Sequence, residues 1–324
     1  MTKAVRVHAY GGPEVLRLDD VPVPVPSANE VLIRQEAIGL NFIDIYFRSG
    51  LYKLPTLPAV IGMEAAGVVE TVGAEVTSLK PGDRVAYPAQ LGAYTRHRAL
   101  AADLVVQLPD SIDTQTAAGM MLRGLTVQAL LRQVRVLQPG DTILVHAAAG
   151  GMGLMMCQWA AHLGAIVIGI TSTEEKAELA REFGAAHTIV GLDDVPAKIK
   201  RITGGAMVPV VYDSVGKDSF ISSLDCLAPR GLLVSYGNAS GEVTGVSLSL
   251  LAARGSLYVT RPKLTTFIGR REQLVSASKE LFGVVASGAV KIRIGQSFPL
   301  SAAAEAHRAL EARTTTGSTI LLPD

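Results

Sequence analysis

The chain has 324 residues, of which 48% are hydrophobic and 18% charged, and a formal net charge of +1. This composition excludes a disordered protein, and the balanced charge, without any long Lys/Arg run, argues against a nucleic-acid or anionic-membrane partner. The length exceeds what one hydrophobic core usually supports, so two domains are expected.

The N-terminal stretch MTKAVRVHAYGG lacks the apolar core of a signal peptide. Up to residue 121 the chain reads as strand-rich: AVRVHAY, VLIRQEAIG, AAGVVETVG and DRVAYP are short β-type runs separated by Gly, Pro and Asp. VPVPVP at 21–26 is an edge or linker, because three prolines remove ladder donors. KPGDRV places Pro81-Gly82 in a tight turn. One helix is expected here, from Asn41 to Arg48, closed by Ser49-Gly50; Asn41 is its N-cap and Asp44 sits at N3, where a carboxylate favours the helix dipole.

From 122 to 261 the pattern changes to strands alternating with helices: TILVHA, a glycine loop, GLMMCQWAAHLG, AIVIGI, TEEKAELAREFG, AHTIV, a helix around 194–203, VPVVYDS, a helix around 218–226, GLLVSYG and GSLYVT. Alternation of this kind implies right-handed crossovers and a doubly wound parallel sheet of about six strands. The apolar region Thr142–Ile170 is interrupted by His146, Gln158, His162 and glycines, so it reads as strand, helix and strand rather than a membrane span. Residues 262–324 (a helix, a strand, a helix and a short final strand) are expected to complete the first domain. The two cysteines, Cys157 and Cys226, form no C-x-x-C and suggest a reducing compartment. A cytoplasmic chain is expected.

The loop HAAAGGMG (146–153) follows a strand and opens a helix. Read as G-x-G-x-x-G it has Ala148 at the first position, then Gly150 and Gly153, with Gly151 and Met152 between them. The small residues also fit a plain packing turn, but strand, loop and helix within a full βαβ series favour a dinucleotide site, with the pyrophosphate at the helix N-terminus. About 20 residues on, an NAD site carries an acidic residue for the ribose 2′-OH. Here the second strand ends in ITST, and Ser172, Thr173 and Lys176 offer hydroxyls and a cation instead, which suits a 2′-phosphate and predicts NADPH. Ser214, Gly237 and Asn238 follow the fourth and fifth strands, where strand ends form the ligand crevice.

The six histidines (His8, His97, His146, His162, His187 and His307) make no H-E-x-x-H, and no G-x-S-x-G elbow exists. His146 and His162 read as structural. The absence of a nucleophile fits hydride transfer, where a nicotinamide supplies the reactive atom.

Seven stretches together resemble a known family: GGPEVL (11–16), GLNFIDIYFRSGLY (39–52), IGMEAAGVVETVG (61–73), KPGDRV (80–85), HAAAGGMG (146–153), VVYDSVG (210–216) and GSLYVTRP (255–262). The chain resembles the zinc-free quinone oxidoreductase (zeta-crystallin-like) branch of the medium-chain dehydrogenases/reductases, in which alanine normally replaces the loop's first glycine. The resemblance implies a GroES-like catalytic domain (1–121, completed by 262–324), a Rossmann domain (122–261), a site in the cleft and a homodimer. It also implies that the segment Asn41, Phe42, Ile43, Asp44, Ile45 and Tyr46 lines the nicotinamide and substrate side, with Tyr46, Asn41 and Asp44 catalytic. Thr126 would contact the carboxamide and Arg313 the adenosine phosphate. Gly191 departs from the polar or aromatic residue that relatives often carry. Asn41 and Met63 stand where a zinc alcohol dehydrogenase would have a cysteine and a histidine, and no cysteine-rich lobe follows residue 85, so no metal site is expected. The expected reaction is hydride transfer from NADPH to a quinone. An enone or alkenal double-bond reductase and a non-catalytic NADPH-binding protein remain as alternatives. An edge strand in GSLYVT would serve dimer pairing.

Overall fold

The computed structural model describes residues 1–324. Eight strands come first: β1 (Thr2–Val7), β2 (Leu16–Val21), β3 (Glu30–Leu40), β4 (Ala59–Val60), β5 (Glu64–Val72), β6 (Arg84–Tyr87), β7 (His97–Ala101) and β8 (Val106–Gln107). Helix α1 (Phe42–Ser49) follows β3, as Asn41 and Gly50 predict: Asn41 is an extended N-cap and Gly50 a left-handed C-cap. The prolines after Val21 end β2 and belong to no strand.

Helices α2 (Thr114–Ala118) and α3 (Met121–Ala129), with a π-helical continuation at Leu130–Val134, were not foreseen. The run GMMLRGLTVQALL is apolar nearly all round, so it shows no period to read. Next come β9 (Thr142–Val145), α4 (Gly151–His162), β10 (Ile166–Thr171), α5 (Glu174–Glu182), β11 (His187–Val190), α6 (Val195–Ile202), β12 (Val208–Asp213), α7 (Phe220–Asp225), β13 (Leu227–Ser235), α8 (Leu248–Ala253) and β14 (Tyr258–Thr260). The chain ends with α9 (Leu264–Phe267), α10 (Arg271–Ala286), β15 (Ile294–Pro299), α11 (Ala303–Glu311) and β16 (Ser318–Leu322).

Two compact units result. One comprises Met1–Thr126, Ile268–Ala286 and Ile292–Asp324; the other comprises Val127–Phe267 and Ser287–Lys291. In the first, β15-β16-β3-β5-β6-β8 form a sheet to which β7 adds on β3, and β2-β1-β4 form a small antiparallel sheet. Its core gathers Val5, Ile33, Ile38, Leu40, Ile61, Val85 and Leu321. In the second, all six strands run parallel in the order β11-β10-β9-β12-β13-β14. This is the doubly wound sheet, and its order reverses between β9 and β12. Leu144, Ile168, Val211, Leu233 and Phe220 form its core; each such side chain contributes about 1.5–3 kcal/mol on burial. Strand β14 is shorter than GSLYVT suggests, because Gly255 and Ser256 both take positive φ and delay it to Tyr258.

Candidate functional site

The glycine loop lies at the C-terminal end of β9, at the switch point where open α/β sheets bind ligands. Ala147 holds a positive φ of 51°, and the chain turns into α4 with Gly150 as N-cap. A Cβ at Gly153 would overlap the Ala147 carbonyl oxygen and lie 2.6 Å from Ala148 Cα, so no side chain fits there. Gly150, Gly151 and Met152 are half-buried; the Gly150 N–H donates to Ala147 O at 2.9 Å, while the N–H groups of Gly151, Met152 and Gly153 belong to the free first turn of α4. The alanine in place of the first glycine has a structural counterpart. Ala148 is fully buried, and a Cβ on Gly169 of β10 would come within 2.7 Å of the Ala148 methyl.

At the end of β10, Thr171 is buried while Ser172 and Thr173 are exposed. Thr173 caps α5, accepting from the Lys176 backbone N–H at 3.3 Å, and Lys176 Nζ reaches Ser172 Oγ at 3.4 Å. Two hydroxyls and an ammonium thus converge on a helix N-terminus, a favourable place for a phosphate. Of the nearby acids, Glu174 pairs with Arg181 at 3.0 Å. The Gly191 N–H donates to Thr171 O at 2.9 Å, which sets Gly191 beside this group, and open space surrounds the position of its missing Cβ.

Ser214 and Gly237 meet across the ends of β12 and β13. A Cβ on Gly237 would overlap the Ser214 carbonyl, and Ala239 N donates to Ser214 O at 3.2 Å. Asn238 is half-buried in the same loop. Arg261, which sequence reasoning missed, donates to Gly237 O at 2.8 Å and to Ser235 O at 3.1 Å.

In the first unit, Asn41 N donates to Asp44 Oδ2 at 2.8 Å, and Asn41 Nδ2 donates to Glu64 Oε1 at 2.7 Å. Glu64 is fully buried; its Oε2 accepts from Leu122 N at 2.6 Å and its Oε1 faces Arg123 at 3.5 Å. Burial raises the Glu64 carboxyl and Arg123 opposes the rise. Asp44, also fully buried, is pushed up to about 7, mainly by desolvation, against the lowering effect of the Asn41 N–H and the Tyr94 hydroxyl. Behind it runs a buried chain. Arg48, held by Glu311, donates to His307 Nδ1 at 3.2 Å, so His307 Nε2 carries the proton and donates to the Tyr94 oxygen at 3.0 Å. The Tyr94 hydroxyl then donates to Asp44 Oδ2 at 3.2 Å. Burial, reinforced by Arg48, lowers His307 to about 3 and keeps it neutral.

Tyr46 is buried and meets Tyr52 edge-on at 5.4 Å between centroids. Ile45 is buried, and Phe42 and Ile43 are half-buried. The Thr126 hydroxyl donates to Leu122 O at 2.6 Å within α3. Arg313 is exposed just past α11 with φ of 57°. Glu64, Tyr94, Arg123 and His307 were not singled out from sequence as site residues, although a glutamate inside the apolar run of β5 was a visible signal. His162, expected to be structural, is exposed on the last turn of α4, while His146 is buried.

The donors at the position of a catalytic zinc do not fit that metal. Asn41 turns its amide N–H₂ to Glu64, and Met63 offers a thioether in place of imidazole. No group of three or more His, Cys, Asp or Glu side chains is arranged to hold a metal ion. The turn at Gly150–Gly153 does fit a dinucleotide: Gly153 lets α4 start hard against the Ala147–Ala148 backbone, and the first turn of α4 presents free N–H groups where a pyrophosphate would sit.

Residues 27–110 match the alcohol dehydrogenase GroES-like domain, and residues 151–280 match the zinc-binding dehydrogenase domain. The chain is 55% identical to a quinone oxidoreductase of Pseudomonas aeruginosa, with 100% of both chains covered. The crystal structure of Escherichia coli quinone oxidoreductase complexed with NADPH matches with a TM-score of 0.97 at 48% identity, covering 99% of this chain and 100% of that one. A 2-haloacrylate reductase from a Burkholderia species is 44% identical over 100% of this chain and 99% of its own length. The chain belongs to the quinone oxidoreductase branch of the medium-chain dehydrogenase/reductase family.

Proposed function

We propose that the protein is an NADPH-dependent quinone reductase that works without zinc. The observation that carries this reading is the full-length likeness to the NADPH-bound Escherichia coli enzyme, together with the Ser172–Thr173–Lys176 group where an NAD site would place an acid. When bound, NADPH supplies a hydride from nicotinamide C4 to the quinone. With one proton from solvent this gives the hydroquinone and NADP⁺.

The chain's residues bind and orient. The free N–H groups of Gly151, Met152 and Gly153 receive the pyrophosphate, and Gly150 lets the backbone approach it. Ser172, Thr173 and Lys176 hold the 2′-phosphate, and Arg313 reaches the adenosine phosphate. Gly191 leaves the adenosine side open. Thr126, Ser214, Gly237 and Asn238 receive the nicotinamide half. Asn41 to Tyr46 face nicotinamide and substrate: Asn41 is fixed by Glu64, Asp44 sets the start of α1, and the Tyr46 hydroxyl orients a substrate oxygen. Quinone oxygens are strong electrophiles, so no dedicated acid is required and orientation carries much of the rate. No helix is long and apolar enough to cross a membrane, and the reading places the enzyme in the cytoplasm as a homodimer, with no nucleic-acid or membrane partner.

The likeness to the 2-haloacrylate reductase keeps an activated double-bond reductase as the second reading. NADPH absorbance followed with an ortho-quinone and with an alkenal separates the two. Faster oxidation with the quinone supports the first. Turnover of the alkenal alone supports the second, and NADPH binding without turnover of either identifies a binding protein.

A further inference from the structure

Beside the dinucleotide loop lies a polar cluster that the reaction above leaves unused. His146 follows β9, Asp213 ends β12, Ser219 precedes α7 and Ser223 lies within it; none is more than 1% exposed. Sealed from solvent, these groups do not form a nucleophilic triad that a substrate reaches. Their hydrogen bonds have a fixed direction. The Ser223 hydroxyl donates to Asp213 Oδ2 at 2.7 Å, as does Ser219, while Asp213 Oδ1 accepts from Val215 N at 2.8 Å and Gly216 N at 3.1 Å. The Ser223 proton is thereby committed, so His146 Nε2 carries the proton that meets Ser223 Oγ at 2.9 Å. His146 Nδ1 is bare and has no partner. Burial, stronger than the opposing charge of Asp213, lowers the proton affinity of the ring and keeps it neutral.

The cluster joins two loops that start on adjacent strands. His146 precedes Ala147, whose positive φ is unfavourable for a residue with a Cβ and needs support from its surroundings. The Ala147 carbonyl is the atom that forbids a side chain at Gly153. Asp213 precedes Ser214, against which Gly237 packs, and Asp213 O accepts from Tyr236 N at 2.8 Å. A shift of either end would move backbone that lines the cofactor crevice.

We propose that Ser223 and His146 are positioning residues for cofactor binding: Ser223 holds the neutral imidazole on one side and the Asp213 carboxylate on the other, and so fixes the loops after β9 and β12 in the arrangement that receives the dinucleotide. The proposal rests on the NADPH reading. Loosening the link lowers the population of the competent loop arrangement and raises the apparent Kd by the same factor, while the saturated enzyme reacts as before.

The test measures NADPH affinity by fluorescence quenching, kcat at saturating NADPH, the quinone KM and the melting temperature. Ser223→Ala is expected to bind NADPH about tenfold more weakly, with kcat within about twofold and an unchanged quinone KM. Ser223→Thr restores the hydroxyl and the affinity. His146→Phe keeps a ring and all of Asp213's donors, and is expected to show the same loss as Ser223→Ala. Ser219→Ala leaves the Ser223–His146 link intact and stays within about twofold of wild type. The proposal is overturned if Ser223→Ala or His146→Phe melts lower yet binds NADPH as wild type, or if Ser219→Ala loses as much affinity as they do. Failure of the wild-type protein to bind NADPH would sink the functional reading instead.

Discussion

On the proposed reading, Lys176 carries the cofactor preference. Its ammonium stands at the N-terminus of α5 beside the Ser172 hydroxyl. Lys176→Glu would set a carboxylate against the 2′-phosphate and is expected to raise the KM for NADPH by about tenfold or more while leaving that for NADH nearly unchanged. Steady-state kinetics with both cofactors checks this; equal changes for the two would contradict it. Asp44 and His307 make a second residue-scale prediction, because they sit in one buried chain with Tyr94 and Arg48, which Glu311 holds from the surface, near Glu64 and Arg123. The Asp44 carboxyl, raised from 3.8 to about 7, keeps its proton in the folded state when the unfolded chain has lost it. Stability therefore falls as pH rises from 3.8 to about 7. His307, lowered from 6.5 to about 3, is protonated first in the unfolded chain, so its contribution rises with pH up to 6.5. The two slopes oppose each other between 3.8 and 6.5. Asp44→Asn removes one of them, and its urea-unfolding stability is expected to climb with pH over that window by up to about 1.4 kcal/mol per pH unit more than wild type. Parallel pH profiles would refute the assignment. The placement of Lys176 beside Ser172 was legible in the sequence because both lie at a fixed distance from the glycine loop. The Asp44–Tyr94–His307 chain was not, since its members are separated by 50 and 213 positions and only folding brings them together.

At the scale of elements, the alternation of strands and helices was readable because fully buried parallel strands appear as short apolar runs between polar helices. The missing first glycine of the loop was no obstacle to the expected strand–loop–helix turn, but its compensation was hidden: Gly169, one strand away, leaves the space that Ala148 fills. Gly169→Val forces two side chains into one volume and is expected to destabilise the protein by about 1–3 kcal/mol and to disturb the loop. Chemical denaturation with NADPH titration checks both effects, and a stable variant with normal affinity would show that the contact is slack. Helix α2 escaped the reading because it is only 5 residues long, and α3 because its run is apolar nearly all round. Strand β14 was drawn too long because backbone conformation at Ser256, a residue with no special propensity for positive φ, is set by tertiary context.

For the whole molecule, β14 is the last strand of the six-stranded sheet, and Tyr258 and Val259 are 57% and 39% exposed. An uncovered edge of this kind favours strand pairing with a second copy. Sedimentation at micromolar concentration is expected to give a dimer, and Val259→Lys to shift it towards monomer; a wild-type monomer would contradict this. The central claim concerns chemistry. The measurement that tests it most directly is NADPH oxidation by the purified protein across a panel of quinones, with NADH and an alkenal run in parallel. The account predicts quinone-dependent oxidation of NADPH well above the uncatalysed rate, weak activity with NADH and less with the alkenal. No oxidation above the enzyme-free rate for any quinone, or equal use of NADH, would contradict it.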